Sequence, residues 1–204
     1  MMEHEKTVTR MRMVGGHPCL DFVNTVDARV GTWGPDLLRN YDDLLAWAER
    51  VEVITPTERN ELIALAVDNR LLATKALERA KVLRESLYAI LRAEALQTNV
   101  PPDEVNTVQK AVVESLRKRA LCEANGLFFW GWTNDGSLEA VWVRVALSAA
   151  SFLAGRHLRR SVRECPGPNC GWLFLDTSKA GRRRWCSDES CGSRSRVRRF
   201  RARV

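Results

Sequence analysis

Apolar side chains return every third or fourth residue through much of the first 155 positions. The stripe is strongest from about 71 to 98, where Leu72, Ala76, Ala80, Leu83, Leu87 and Ile90 share one helical face and Pro101-Pro102 ends the run. Upstream, Leu44, Leu45, Trp47 and Ala48 line one side of a shorter helix in NYDDLLAWAER. Thr55, Pro56 and Glu58 mark another start. The threonine can cap, the proline loses only an N–H that would be orphaned anyway, and the glutamate can return a bond to the cap. Residues 103–123, DEVNTVQKAVVESLRKRALCE, read as a further helix with Val105, Val108, Val112 and Leu116 inward. The period then shortens. NGLFFWGWTNDGSLEAVW alternates aromatics around Asn134-Asp135-Gly136, and Asp-Gly between such runs predicts a β-hairpin turning there. Helical spacing resumes in VWVRVALSAASFLAGRHLRR and ends near Gly155.

The pattern predicts a mainly α fold: a helical N-terminal domain over 1–160 with one β-hairpin, followed by a small unit over 161–204. Residues 14–34 are rich in Gly, Asp and Asn and read as a turn, a short helix or extended piece, and a loop. Most of the seven tryptophans fall at core or hairpin positions.

The small unit changes the picture through four cysteines. Cys165, Cys170, Cys186 and Cys191 are spaced C-x4-C-x15-C-x4-C, two close pairs that a short spacer lets converge on one tetrahedral Zn²⁺. Cys165-Pro-Gly-Pro-Asn-Cys170-Gly reads as a knuckle whose bends aim amide N–H groups at the sulfurs. WLFLDTS reads as a strand, KAGR as a turn and RRWC as a returning strand. Ser187 then caps a helix that holds Asp188 and Glu189 in its first turn and Cys191 near its start. Knuckle, hairpin and ligand-bearing helix make a treble-clef-like zinc finger. Four thiolates leave no open position on the metal, so one structural zinc is expected. Iron, another metal or, in an oxidising compartment, disulfides remain open from spacing alone.

Charge is divided unevenly. Residues 156–204 carry 14 Lys/Arg against 4 Asp/Glu, whereas the first 155 carry 18 against 21, so a slightly acidic body bears a strongly basic tail. In the last helix Val197, Phe200 and Val204 form a stripe expected to pack on the finger's hairpin. Arginines 194, 198 and 201 flank it on one side, and arginines 196, 199 and 203 on the other. With Arg182, Arg183 and Arg184, these nine (Arg194, Arg196, Arg198, Arg199, Arg201 and Arg203 included) are the candidate phosphate contacts to DNA, or alternatively RNA, with Arg194 the candidate for a base edge. The same arginines can also offset the −2 charge of a zinc tetrathiolate or meet an acidic protein. One short finger offers little base readout, so a homo-oligomer or a partner would be needed for specificity.

These residues resemble the CGNR zinc-finger family: the four cysteines, Gly171-Trp172-Leu173-Phe174-Leu175-Asp176, the Gly181–Cys186 block and Cys191-Gly192-Ser193-Arg194. GGHPCLDFVNT, residues 15–25, is similar to the start of the ABATE domain that precedes this finger. The resemblance implies a helical N-terminal domain, zinc on Cys165, Cys170, Cys186 and Cys191, and a role as a bacterial stress-responsive transcription regulator. Ser193 stands where that motif has asparagine, and its shorter side chain makes a shorter-reaching hydrogen bond.

Elsewhere the chemistry is sparse. Asp21, Asn24, Asp27 and Arg29 cluster and are candidates for a ligand pocket in the body, or for capping and turn formation. Cys19 and Cys122 read as buried small hydrophobes. His4, His17 and His157 lack the spacing of a metal-binding helix, and no phosphate loop, nucleophile elbow or dinucleotide fingerprint occurs. A non-catalytic protein is expected. The N-terminus lacks the apolar core of a secretory signal and no uncharged run approaches the ~18 residues of a membrane helix, so a cytoplasmic protein without a membrane span is expected.

Overall fold

The computed structural model describes residues 6–133 and 136–202. Its centre is α4 (Arg70–Leu96), whose 27 residues run on the order of 40 Å through the body. Around it pack α1 (Pro18–Val23), α2 (Tyr41–Arg50), α3 (Pro56–Asp68), α5 (Pro102–Leu116) and α6 (Ala140–Ala154). Trp47, Trp142, Phe22, Leu87 and Leu91 are sealed in the shared core. α3 starts as its sequence dictates: Thr55 Oγ1 accepts from Glu58 N at 3.2 Å and Glu58 Oε2 accepts from Thr55 N at 2.7 Å.

The inward stripes need two corrections. Leu72 is 53 % exposed and Ala73 takes the inward position. Of the predicted α5 stripe only Val108 is buried, while Val105 and Leu116 face solvent, because no other described element covers that flank.

The body's hairpin also sits elsewhere than predicted. β1 (Arg119–Ala124) pairs antiparallel with β2 (Leu127–Trp132) around Asn125-Gly126. Both turn residues have positive φ, 55° and 77°, as a two-residue turn of the type I′ hand requires. α5 therefore ends at Leu116, and the RALCE segment is strand rather than helix. Asn134 and Asp135 lie outside the described residues, and the chain beyond them enters α6 instead of a second strand. Cys122 is half-buried on this hairpin rather than enclosed in the core.

The C-terminal unit contains β3 (Val162–Glu164), β4 (Leu173–Leu175) and α7 (Ser193–Arg201), the last entered through a wider π turn at Asp188–Gly192. β4 pairs with β3, which precedes the knuckle, and not with the RRWC segment that follows it. The reason is that β4's outer edge is already taken. Asn24 spans Leu173, donating to its carbonyl at 2.8 Å and accepting from its N–H at 2.9 Å, and Leu175 N–H donates to Gly15 carbonyl. The body thus occupies the ladder position that RRWC would have filled.

Among the described residues no helix is long and apolar enough to cross a membrane.

Candidate zinc centre and basic helix

The knuckle turns between β3 and β4, and Gly167 lets it close. A Cβ there would stand 2.9 Å from Cys191 Sγ, closer than packing permits. Asn169 adopts a left-handed φ of 58°, and Cys170 N–H donates back to Gly167 carbonyl. Cys165 and Cys170 come from this turn, Cys186 from the loop after β4, and Cys191 from the first turn of the terminal helix. Ser187 caps that helix, accepting from Ser190 N.

The four sulfurs lie within 4.8 Å of one another and all four residues are buried. Cys186 Sγ is 3.6 Å from both Cys170 Sγ and Cys191 Sγ. A disulfide needs about 2.0 Å. Tetrahedral zinc with Zn–S bonds of about 2.3 Å places its sulfurs about 3.8 Å apart, so the donor set fits one Zn²⁺ with every position filled by protein. Hydrogen bonds among the four thiols hold Cys165 and Cys191 below their ordinary range, the latter helped by Arg194, and push Cys170 and Cys186 above it, as expected of sulfurs that share protons at close range. The thiolate is the metal-binding form.

The arginines divide into three groups. Arg183 is a strut: its side chain donates to the carbonyls of Trp185, Leu175, Val14 and Cys186, its N–H reaches Asp176, and its guanidinium lies 4.4 Å from the centre of the Phe174 ring. It is not available to phosphate. Arg194 and Arg196 are engaged. Arg194 Nη2 approaches Cys191 Sγ at 3.4 Å, where burial opposes its charge and the thiolate sustains it. Arg196 grips Asp188 at 2.8 Å. Arg182, Arg198, Arg199 and Arg201 are exposed, with no side-chain partner among the described residues, and Arg184 stacks near Trp185 at 4.9 Å. Arg203 and Val204 lie outside the described residues, as does His4.

α7 buries none of its described side chains; Val197 is 47 % and Phe200 71 % exposed. For Val197 and Phe200 the expected packing on the finger's hairpin does not occur. That hairpin has spent its apolar residues already: Val162 and Leu173 join the body core, while Phe174 closes the cysteine cluster.

The proposed pocket residues Asp21, Asn24 and Arg29 form a latch instead. Asn24 is fully buried against β4. Asp21 accepts from Gly15 N at 2.8 Å and is pushed up to about 6 by burial. Arg29 donates to Val23 carbonyl and pairs with Glu85, between the rings of Trp33 and Tyr88. Its own N–H donates to Cys170 carbonyl at 2.7 Å. Asp27 pairs with Lys6 at 2.5 Å. The finger is thereby docked into the body, helped by Trp172 Nε1 donating to Val26 carbonyl at 2.9 Å. His17 caps α1, accepting from Cys19 N, and Cys19 is pushed up to about 12 by burial, an unreactive thiol.

Sequence reasoning missed the basic residues of the N-terminal segment. A cavity of about 310 Å³ lies beside the cysteines, bordered by Arg10, Arg12, Trp172, Cys191 and Arg194. Arg12 reaches across to Ser187 Oγ at 2.9 Å and Glu189 at 3.0 Å. Only the alternation of Arg10 and Arg12 around Met11 hinted at this in the sequence, and the net acidic charge of the first 155 residues hid it.

Two family models match. Residues 161–204 match the CGNR zinc finger. Residues 16–156 match ABATE, described as "Putative stress-induced transcription regulator". No curated protein matches the chain.

Proposed function

This chain belongs to the ABATE family and carries a CGNR zinc finger, and from that premise we propose that it is a non-catalytic, cytoplasmic DNA-binding transcription regulator. The observation that carries the reading is the group Arg182, Arg198, Arg199 and Arg201, exposed and unpaired among the described residues: the last three are displayed by α7, which buries none of its described side chains, and Arg182 comes from the loop before Cys186. Unneutralised guanidinium groups in a row suit a phosphate backbone, which they bind by releasing condensed counterions. The zinc is structural and fixes the base of the helix; the docked body sets its direction.

Changing Arg198, Arg199 and Arg201 together to Glu is expected to weaken binding of the zinc-loaded protein to labelled duplex DNA at least 100-fold in fluorescence anisotropy, with zinc content unchanged. Equal binding by the variant would refute the reading. A second reading has its own support in the exposed Val197 and Phe200, which suit a protein partner's apolar surface, while the arginines beside them suit its acidic groups. Absence of DNA and RNA binding by the wild-type protein at low salt would favour it.

A further inference from the structure

The hairpin β1–β2 carries five of the exposed large apolar side chains among the described residues. Leu121, Leu127, Phe128, Phe129 and Trp130 are 61, 72, 71, 50 and 62 % exposed. The register puts Leu121, Phe128 and Trp130 on one face and Leu127 and Phe129 on the other, so neither face is closed by the body. The two strands form a sheet by themselves and leave both edges unpaired. A lone two-stranded hairpin is marginal in water, and unpaired edges invite another chain.

Beside the hairpin lies a recess of about 590 Å³ between α5 and α6, walled by Val112, Leu116, Leu147, Ala150 and, from the hairpin itself, Trp130. Leu116 is 56 % and Val113 43 % exposed on the same helix. This is the flank of α5 that no other described element covers.

We propose that a second copy of this chain covers this surface, the hairpin of each protomer packing into the α5–α6 recess of the other about a two-fold axis. Three observations favour a second copy over a different protein. A protrusion and a matching recess lie side by side on one surface, the self-complementarity that an isologous interface requires. The area suffices: five side chains of ~200 Å² each, half to three-quarters exposed, leave roughly 600 Å² of apolar surface. Leu116 and Val113 bring it close to the ~800 Å² per partner of a standard interface. Finally, the hairpin carries one charge of each sign, Arg119 and Glu123, so two copies meet without net repulsion.

The test is sedimentation velocity of the full, zinc-loaded chain without nucleic acid, across a concentration range from about 1 to 50 μM. The expected result is a dimer over most of that range. Phe128→Glu with Trp130→Glu is expected to give a monomer. Leu116→Glu, which alters the recess and leaves the hairpin sequence intact, is expected to do the same, with helical circular dichroism and zinc content retained in both. A monomeric wild-type protein at 50 μM overturns the proposal, and so does a dimer that survives both sets of changes. The measurement contains no DNA, so its failure leaves the reading of α7 standing, and failure of DNA binding leaves the dimer standing.

Discussion

Asn24 does more for this molecule than its place in a Gly- and Asp-rich stretch suggests. It replaces one strand's worth of backbone pairing with a single amide that both donates to and accepts from Leu173. Asn24→Ala would leave the N–H and carbonyl of a fully buried residue without partners, a cost of about 3 kcal/mol, checked by denaturant unfolding of the zinc-loaded protein. Asp21, its neighbour on α1, sets a pH dependence. Burial first, opposed by the Gly15 and Val14 amides and by Arg50 and Arg183, raises its carboxyl to about 6. A carboxyl raised on folding binds more protons folded than unfolded between its ordinary value near 3.8 and 6. Its contribution is therefore full below that window and is lost as pH rises through it. Asp21→Asn is expected to remove a decline on the order of 2 kcal/mol across pH 4 to 6, and an unchanged slope in thermal melts would contradict the assignment. The sequence shows such residues only as polar and near a turn. The partner of Asn24 lies 149 positions away, so pairing the two requires the fold itself.

At the scale of elements, local chemistry was legible wherever neighbours in sequence are neighbours in space. The capping box of α3 is one case, and the long stripe of α4 is another. Thr55→Ala is expected to cost about 1 kcal/mol in stability. Glu58 is held down at about 2, chiefly by its hydrogen bond to Arg144, so the stability it adds is present above its ordinary value of 4.5 and fades as pH falls through 2. Where two local signals competed, the pattern misled. Asp135-Gly136 and Asn125-Gly126 both look like hairpin turns, and the helical run of α5 masked the strand before Asn125. The finger's second strand failed for a different reason: β4 found its outer partner in the body. The four cysteines could be read directly because metal-ligand spacing is a local constraint. The division of arginines into struts, counter-charges and free groups could not, because a row of identical residues carries no mark of which will find a carbonyl or a thiolate.

As a whole, the molecule is an acidic helical body with a zinc finger built into its side rather than tethered to it. Val162 and Leu173 belong to the body core, and Trp172, Tyr88 and Arg29 stitch the seam. The two halves therefore share one packed seam, which suits a regulator in which one half responds and the other half binds. Two copies joined through their hairpins would present two basic helices in fixed relation and so supply the readout that one finger lacks. In the proposed function the free arginines of the finger meet a phosphate backbone. Its most direct test is the affinity of the zinc-loaded protein for random-sequence duplex DNA across a salt series. Four phosphate contacts per protomer predict that log K falls against log salt with a slope of about −3.6 for one bound protomer and about −7.2 for a dimer that engages both helices. A slope near zero, or no binding at low salt in protein confirmed to hold zinc, would contradict the account and leave the finger as a structural cap.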